Sequence, residues 1–202
     1  MMKREEGYVK YRCIHEQAPA PEHHGLSELN RLRSDLVRVG FIGVLENGVG
    51  YGNVSLRAGD GFIVTATATG HIPVLGPEGY CMVTKCDIDA NTVWSRGPAQ
   101  ASSESMTHAA VYAASAGTGC VIHLHHAGTY DQLLSGKAPA TDADAAFGTP
   151  AMAHSVAELV RAHPADGIIV MTGHKDGFLM YAPNVEHMRD LLYMLSQGYI
   201  PC

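Results

Sequence analysis

The sequence predicts an α/β protein of three layers (α/β/α), in which a mainly antiparallel central sheet lies between helices. Short β-branched segments bounded by glycine or proline occur in hairpin-like pairs, and amphipathic segments with helical spacing fall between them. The chain has 202 residues, 46% of them hydrophobic, which is enough to bury one sizeable core. We expect an N-terminal arm over residues 1–25, ended by the linker-like stretch QAPAPEHHG, and one domain over residues 26–202.

Helical spacing of apolar residues predicts four helices, at residues 27–39, 102–115, 149–163 and 184–198. Ser27 is a candidate cap of the first helix. Thr149 followed by Pro150 is a typical helix start, and Asn184 is a candidate cap of the last helix, which Gly198 should end.

The predicted strands are short and rich in β-branched residues, and they lie at 52–58, 61–67, 80–86 and 119–126, with two more within 167–182. Those last two strands are joined by a turn that contains glycine. Such hairpin connections favour antiparallel pairing.

Charge and cysteine content indicate which partners and which cellular compartment to expect. The net charge is −6 and no run of lysine or arginine offsets it, so we expect neither a nucleic acid nor a membrane as partner. The five cysteines form no CxxC pair, and no apolar run is long enough for a secretory signal or a membrane span. We therefore expect a cytoplasmic protein that binds a small molecule.

Common catalytic motifs are missing from the sequence. GVGYGN has Asn53 in place of the last glycine of a dinucleotide fingerprint, and DQLLSGKA lacks the first glycine of a P-loop. There is no GxSxG and no HExxH, so two common hydrolase signatures are absent as well.

The stretch GCVIHLHHAG places three imidazoles in an apolar run that otherwise has the pattern of a buried strand. His123 and His125 share one face of that strand, because side chains alternate along it. His174, in the turn of the C-terminal hairpin, could supply a third ring. Three histidines leave one position of a tetrahedral metal open, which is the arrangement of catalytic zinc.

Glu104 opens the helix that directly precedes this strand. One interpretation is an acid that complements the positive end of the helix dipole. The other is an acid/base residue beside the metal, and the residues by themselves do not decide between the two.

Five short motifs occur in the order and approximate spacing of the class II aldolase/adducin family, which the chain resembles from about residue 26 to the C-terminus. They are GNVSLR (52–57), TATGH (67–71), ASSES (101–105), HLH (123–125) and TGHKDG (172–177). The family includes sugar-phosphate aldolases, a ribulose-phosphate 4-epimerase, a thiosugar-phosphate dehydratase and adducin.

The resemblance implies a role for each matching position. His123, His125 and His174 match the zinc ligands, and Glu104 matches the catalytic acid/base. The positions that match the phosphate-binding residues are Asn53, Thr69, Gly70, Ser102 and Ser103. A helix N-terminus next to the two serines also favours an anion.

The predicted function is therefore a zinc-dependent lyase of the aldolase type in carbohydrate metabolism, with one Zn²⁺, or another divalent transition metal, per chain. It would cleave or form a C–C bond in a small ketose, which we expect to be phosphorylated, through a metal-stabilised enediolate. Epimerisation, dehydration or decarboxylation at the same site stays open, as does a non-catalytic adducin-like interaction module. The resemblance also implies a homo-oligomer, in particular a tetramer, and the alternating residues 8–15 could pair with a neighbour's sheet edge.

The chain departs from the family in three places. Lys175 and Asp176 intrude in the turn that contains His174, the third predicted ligand. His71 follows the Thr-Gly pair, and we expect it to be a surface or core residue rather than a contact of the substrate. No tyrosine occurs from 131 to 148, so the tyrosine that those aldolases take from a neighbouring subunit has no clear counterpart. Tyr130 could replace it, although we expect it to pack.

Three further residues near the motifs have structural interpretations. We expect His126 to be a hydrogen-bonded core residue and His108 to support the site or pack behind it. We expect Arg57 to be solvated, with contact to an anion as the alternative.

Overall fold

The structure, a computed structural model, describes residues 9–199. Its strands are Arg12–Gln17 (β1), Gly43–Val44 (β2), Gly50–Tyr51 (β3), Asn53–Ala58 (β4), Gly61–Thr65 (β5), Tyr80–Asp87 (β6), Thr92–Gly97 (β7), Cys120–His125 (β8), Gly167–Val170 (β9) and Gly177–Ala182 (β10). Its α-helices are Leu26–Arg38 (α1), Ser105–Ala114 (α2), Ala127–Ser135 (α3), Pro150–Ala162 (α4) and Val185–Ser196 (α5). None of these helices is long and apolar enough to cross a membrane.

Eight strands form one sheet in the order β1-β7-β6-β5-β4-β8-β10-β9, and β2 and β3 form a separate two-stranded hairpin. Strand β1 runs parallel to β7, and the other pairs in the large sheet are antiparallel. The prediction of a mainly antiparallel sheet is confirmed.

Helices cover both faces of the large sheet. Helices α2 and α4 pack on one face through residues such as Met106 and Val156, and α1, α3 and α5 pack on the other through residues such as Leu32, Leu133 and Leu191. Strand β8 lies between β4 and β10, and every one of its residues is buried because both faces are covered. The three-layer α/β/α arrangement is confirmed.

Two predicted helix caps are present. The side chain of Thr149 accepts a hydrogen bond from the Met152 backbone N–H, and that of Asn184 accepts one from His187. The predicted Ser27 cap is wrong, because α1 begins at Leu26 with Gly25 in the capping position and no side-chain cap.

The structure contains elements that the sequence pattern did not predict. Residues 12–17, assigned to the N-terminal arm, form an edge strand that pairs with β7 of the same chain, while residues 1–8 of that arm lie outside the described residues. Strand β7 and helix α3 were also not predicted. Helix α3 has nine residues, too few for the apolar periodicity to be distinctive.

Candidate active site

Three histidine rings meet beside the centre of the large sheet. On β8, His123 and His125 point to the face covered by α2 and α4, since Ile122 and Leu124 between and beside them belong to the core of the opposite face. His174 lies in the turn between β9 and β10, where its N–H donates to Met171 O at 2.8 Å. The potential ligand atoms of the three rings lie within 4.8 Å of one another.

The position of His174 depends on a close approach between two loops. A Cβ at Gly173, the residue before it, would overlap the carbonyl oxygen of Ala145, so this position needs glycine. The Phe147 ring stacks on the His174 ring with centroids 4.4 Å apart, and Lys10 Nζ lies 3.5 Å from the Phe147 ring centre. An aromatic ring and a cation thus stand behind the third histidine.

Burial keeps the rings of His123 and His174 neutral. It lowers the pKa of His174 to about 3, with the charge of Lys10 adding to the effect, and it lowers the pKa of His123 well below its usual range, with the neighbouring histidines contributing. Neutral imidazoles are the form that binds metal ions.

The donor set fits a metal ion. The Nε2 atom of His123 is buried and makes no hydrogen bond with any described residue, a costly arrangement that a bound ion would relieve. Asn53 Nδ2 lies 3.4 Å from His123 Nδ1, and Asn53 Oδ1 is buried without a partner among the described residues. Turning the amide over lets Oδ1 accept from Nδ1–H, which leaves the Nε2 lone pair for a metal.

Glu104 occupies the capping position of α2 and lines the same cavity as the three histidines. It is 2% exposed, and its Oε2 accepts a hydrogen bond of 2.7 Å from Thr107 Oγ1. The carboxyl is therefore held in one orientation by a side chain of its own helix.

These groups line one cavity of about 220 Å³. Its lining includes all nine residues that the sequence assigned to the site: Asn53, Thr69, Gly70, Ser102, Ser103, Glu104, His123, His125 and His174. These residues come from β4, β8 and three loops, so the fold assembles them from segments far apart in the chain.

The loop of residues 66–72 supplies Thr69 and Gly70 to the cavity. Thr69 Oγ1 donates to Ala66 O at 2.8 Å, and the Ile72 N–H donates to Thr69 O at 3.1 Å. A Cβ at Gly70 would overlap the carbonyl oxygen of Gly43, so only glycine lets the β2–β3 hairpin approach this closely.

The β2–β3 hairpin forms another wall of the cavity. Its Tyr51 ring lies 5.6 Å from the His125 ring, measured between centroids, and Gly48 and Gly50 line the cavity beside it. The Tyr51 hydroxyl donates to Gly40 O at 3.3 Å, which fixes the ring at the base of the hairpin.

Several residues singled out in the sequence lie outside the cavity. His71 and Lys175 are exposed, and Lys175 Nζ lies 3.8 Å from Asp176 Oδ2. None of these three residues lines the cavity. Asp176 has a left-handed backbone with φ of 61°, and its carbonyl accepts from the His126 N–H. Tyr130 is half-buried and packs against the core, as expected.

Two of the structural interpretations were wrong. His126 is exposed rather than in the core, because β8 ends at His125 and the His126 side chain caps α3 by accepting from the Thr129 N–H. Arg57 is not solvated: its guanidinium donates to the backbone carbonyls of Thr118, Tyr112 and Ser115.

His108 supports the back of the site. It is fully buried one turn into α2, and its Nδ1 lies 2.7 Å from Ser55 Oγ, which is 2.8 Å from the Tyr112 hydroxyl. This buried chain of polar groups joins α2 to β4 next to Asn53.

Sequence reasoning missed several residues that support the site, because they lie far from its motifs along the chain. Tyr11, in the N-terminal arm, donates from its hydroxyl to Ser102 O at 2.8 Å, and Phe147 stacks on His174. Arg33, on α1, donates to Thr69 O at 2.7 Å. No motif contains these residues, and an isolated arginine on a helix has the pattern of a surface residue.

Known proteins resemble this chain in sequence and in fold. The family model described as the class II aldolase and adducin N-terminal domain matches residues 46–198. No curated protein matches the sequence significantly.

Solved structures share the fold. A protein named YgbL from Klebsiella pneumoniae, provisionally assigned as an aldolase, epimerase or decarboxylase, is 14% identical, with 85% of this chain and 84% of that one covered and a TM-score of 0.63. An L-fuculose-1-phosphate aldolase from Thermus thermophilus is 23% identical, with 87% and 97% covered and a TM-score of 0.57. Because the family model covers most of the chain, the protein belongs to the class II aldolase and adducin family.

Proposed function

We propose that the protein is a metal-dependent lyase of the aldolase type, which cleaves or forms a C–C bond in a small phosphorylated ketose. One observation carries this proposal: a single cavity of about 220 Å³ is lined by three histidines, a buried carboxyl and five residues suited to bind an anion. A scaffold protein needs no such set, which disfavours the adducin-like interaction module.

His123, His125 and His174 would hold the metal, and we propose Zn²⁺, one ion per chain. Three neutral imidazoles that leave a position open are the ligand set of catalytic zinc. A divalent ion held there would act as a Lewis acid on the carbonyl and hydroxyl oxygens of the substrate.

Glu104 is the proposed acid/base residue. Its carboxyl lines the cavity and is almost fully shielded from water, so a proton that it takes or gives goes to the bound substrate. The hydrogen bond from Thr107 Oγ1 to Oε2 fixes the orientation of the carboxyl, which is what a positioned proton carrier requires.

The other end of the cavity would bind the phosphate. The loop containing Thr69 and Gly70 and the turn containing Ser102 and Ser103, just before α2, bring hydroxyl and backbone N–H donors to one place. If Asn53 Oδ1 accepts from His123, its Nδ2 is left to donate as well.

Binding the phosphate at one end and the carbonyl at the other would orient a short substrate across the cavity. This orientation is the main contribution that a rigid site makes to such a reaction. Epimerisation or dehydration would use the same residues, so the class of product decides among them.

We also propose that the protein is a cytoplasmic homotetramer. Large apolar side chains remain exposed on the single chain, among them Val39, Val74 and Tyr193. An assembly that covers some of these side chains would be stabilised by their burial, and closed symmetric homo-oligomers are common among soluble proteins.

The test is a screen of the zinc-loaded protein against ketose phosphates, and against dihydroxyacetone phosphate with aldehydes, followed by NMR. The proposal expects the appearance of an aldehyde and a triose phosphate, or their condensation, with loss of both reactions in the Glu104→Gln variant. An epimer or a dehydrated product without cleavage would assign the protein to another reaction of the same site. Binding without any turnover would favour the interaction module.

A further inference from the structure

A buried cation lies behind the end of the cavity that is proposed to bind the anion. Arg33, on α1, is 1% exposed, and its guanidinium donates from Nη2 to Thr69 O at 2.7 Å and from Nη1 to Ile72 O at 2.8 Å. These two hydrogen bonds span the part of the 66–72 loop that supplies Thr69 and Gly70 to the cavity.

No carboxylate among residues 9–199 forms an ion pair with Arg33. Burial lowers the pKa of its guanidinium, but arginine remains charged in proteins. A buried charge without a counter-charge is costly, so its retention needs a compensating interaction.

The described lining of the cavity contains no cationic side chain. Among the described residues that line it there is no lysine and no arginine, although the proposed substrate carries a phosphate. The cavity therefore offers neutral donors only, and Arg33 places a positive charge directly behind one group of them.

The hydrogen bond to Thr69 O also bears on the next N–H. The Thr69 carbonyl and the Gly70 N–H belong to one trans peptide, so they point in opposite directions. Gly70 is buried, and its N–H makes no hydrogen bond with another described residue. Holding the carbonyl fixes the direction of this N–H, and the cation polarises the peptide so that the N–H becomes a stronger donor.

We propose that Arg33 is the positioning residue of the anion end: it orients the Thr69–Gly70 peptide toward the bound anion and supplies the positive charge that the cavity lining lacks. This inference rests on the phosphate end of the proposed function. It adds a residue that contacts no substrate atom and acts through the loop.

The chain contains a matched control. Arg57 also donates to backbone carbonyls, those of Tyr112, Ser115 and Thr118, and it is only partly buried. It does not line the cavity, and the loop that it holds supplies nothing to it. Loss of Arg57 should therefore lower stability without changing the binding of an anion.

The experiment measures the dissociation constant of inorganic phosphate by calorimetry on the full chain after treatment with a chelator, so that no metal contributes. We expect Arg33→Gln to raise this constant by about tenfold or more. Arg33→Lys, which keeps the charge but cannot span both carbonyls, should raise it by about threefold. Arg57→Gln should stay within about twofold of the wild type even if it melts earlier.

Binding by Arg33→Gln within about twofold of the wild type would overturn the role of Arg33 while leaving the phosphate end intact. If Arg33→Gln does not fold, Arg33→Lys decides by the same criterion. Equal weakening in the Arg33 and Arg57 variants would also overturn it, since it would show a general loss of structure. Lack of phosphate binding by the wild type would instead contradict the phosphate end of the proposed function.

Discussion

Acidification should destabilise the protein through His108, a buried residue behind the site. Its ring is fully buried, its Nδ1 lies 2.7 Å from Ser55 Oγ, and its Nε2 makes no hydrogen bond with a described residue. Burial lowers the pKa of His108 from 6.5 to about 3, because desolvation disfavours the charged form of the ring.

The sign and size of the effect follow from these two pKa values. Between them, the unfolded chain binds a proton at His108 and the folded chain does not. The contribution of His108 to the free energy of unfolding is therefore fully present above pH 6.5 and is lost as the pH falls toward 3. At pH 5, one and a half units below the unfolded pKa, the loss is ~2 kcal/mol from this residue, at about 1.4 kcal/mol per unit.

Urea unfolding at pH 8 and pH 5, on chelator-treated protein, measures this loss. We expect the decrease in unfolding free energy between the two pH values to be smaller by ~2 kcal/mol in His108→Gln than in the wild type. His163→Gln is the control, since that side chain is exposed and hydrated in both states. If His108→Gln loses as much stability on acidification as the wild type, then His108 is not the buried neutral group described.

Two further predictions concern catalysis and assembly. Glu104→Gln keeps the shape of the side chain, so melting temperature and metal content should stay near those of the wild type while turnover falls by about a hundredfold or more, and normal turnover would remove Glu104 from the proton transfer. Light scattering at micromolar concentration should give the mass of a tetramer, which is four times the chain mass of 21.6 kDa, whereas a monomer would contradict the assembly.

The site histidines could be predicted because a strand has a strict period. Once residues 119–126 are identified as a strand, His123 and His125 must share a face, and the structure places them so. The same reasoning failed for His126, since it assumed that the strand continued. The backbone instead turns into α3 after His125, and the short helix has too little periodicity to mark that end.

Residues that act through backbone groups could not be predicted. Arg33 and Arg57 both donate to main-chain carbonyls far away in sequence, and nothing in their neighbours indicates which loop they will meet. Phe147 is similar, because its stacking on His174 exists only once two loops pack together. Such contacts are tertiary, whereas motifs and periodicity report only local order.

Metal content per chain tests the central claim most directly. After incubation with Zn²⁺ and dialysis, elemental analysis of the wild type should give about one ion per chain, and the His123→Ala/His125→Ala double variant should retain close to none. His126→Asn is the matched control: it removes the neighbouring histidine of the same run but keeps a residue that caps α3, so it should bind zinc like the wild type. Full zinc content in the double variant would contradict the histidine site and the proposed chemistry that depends on it.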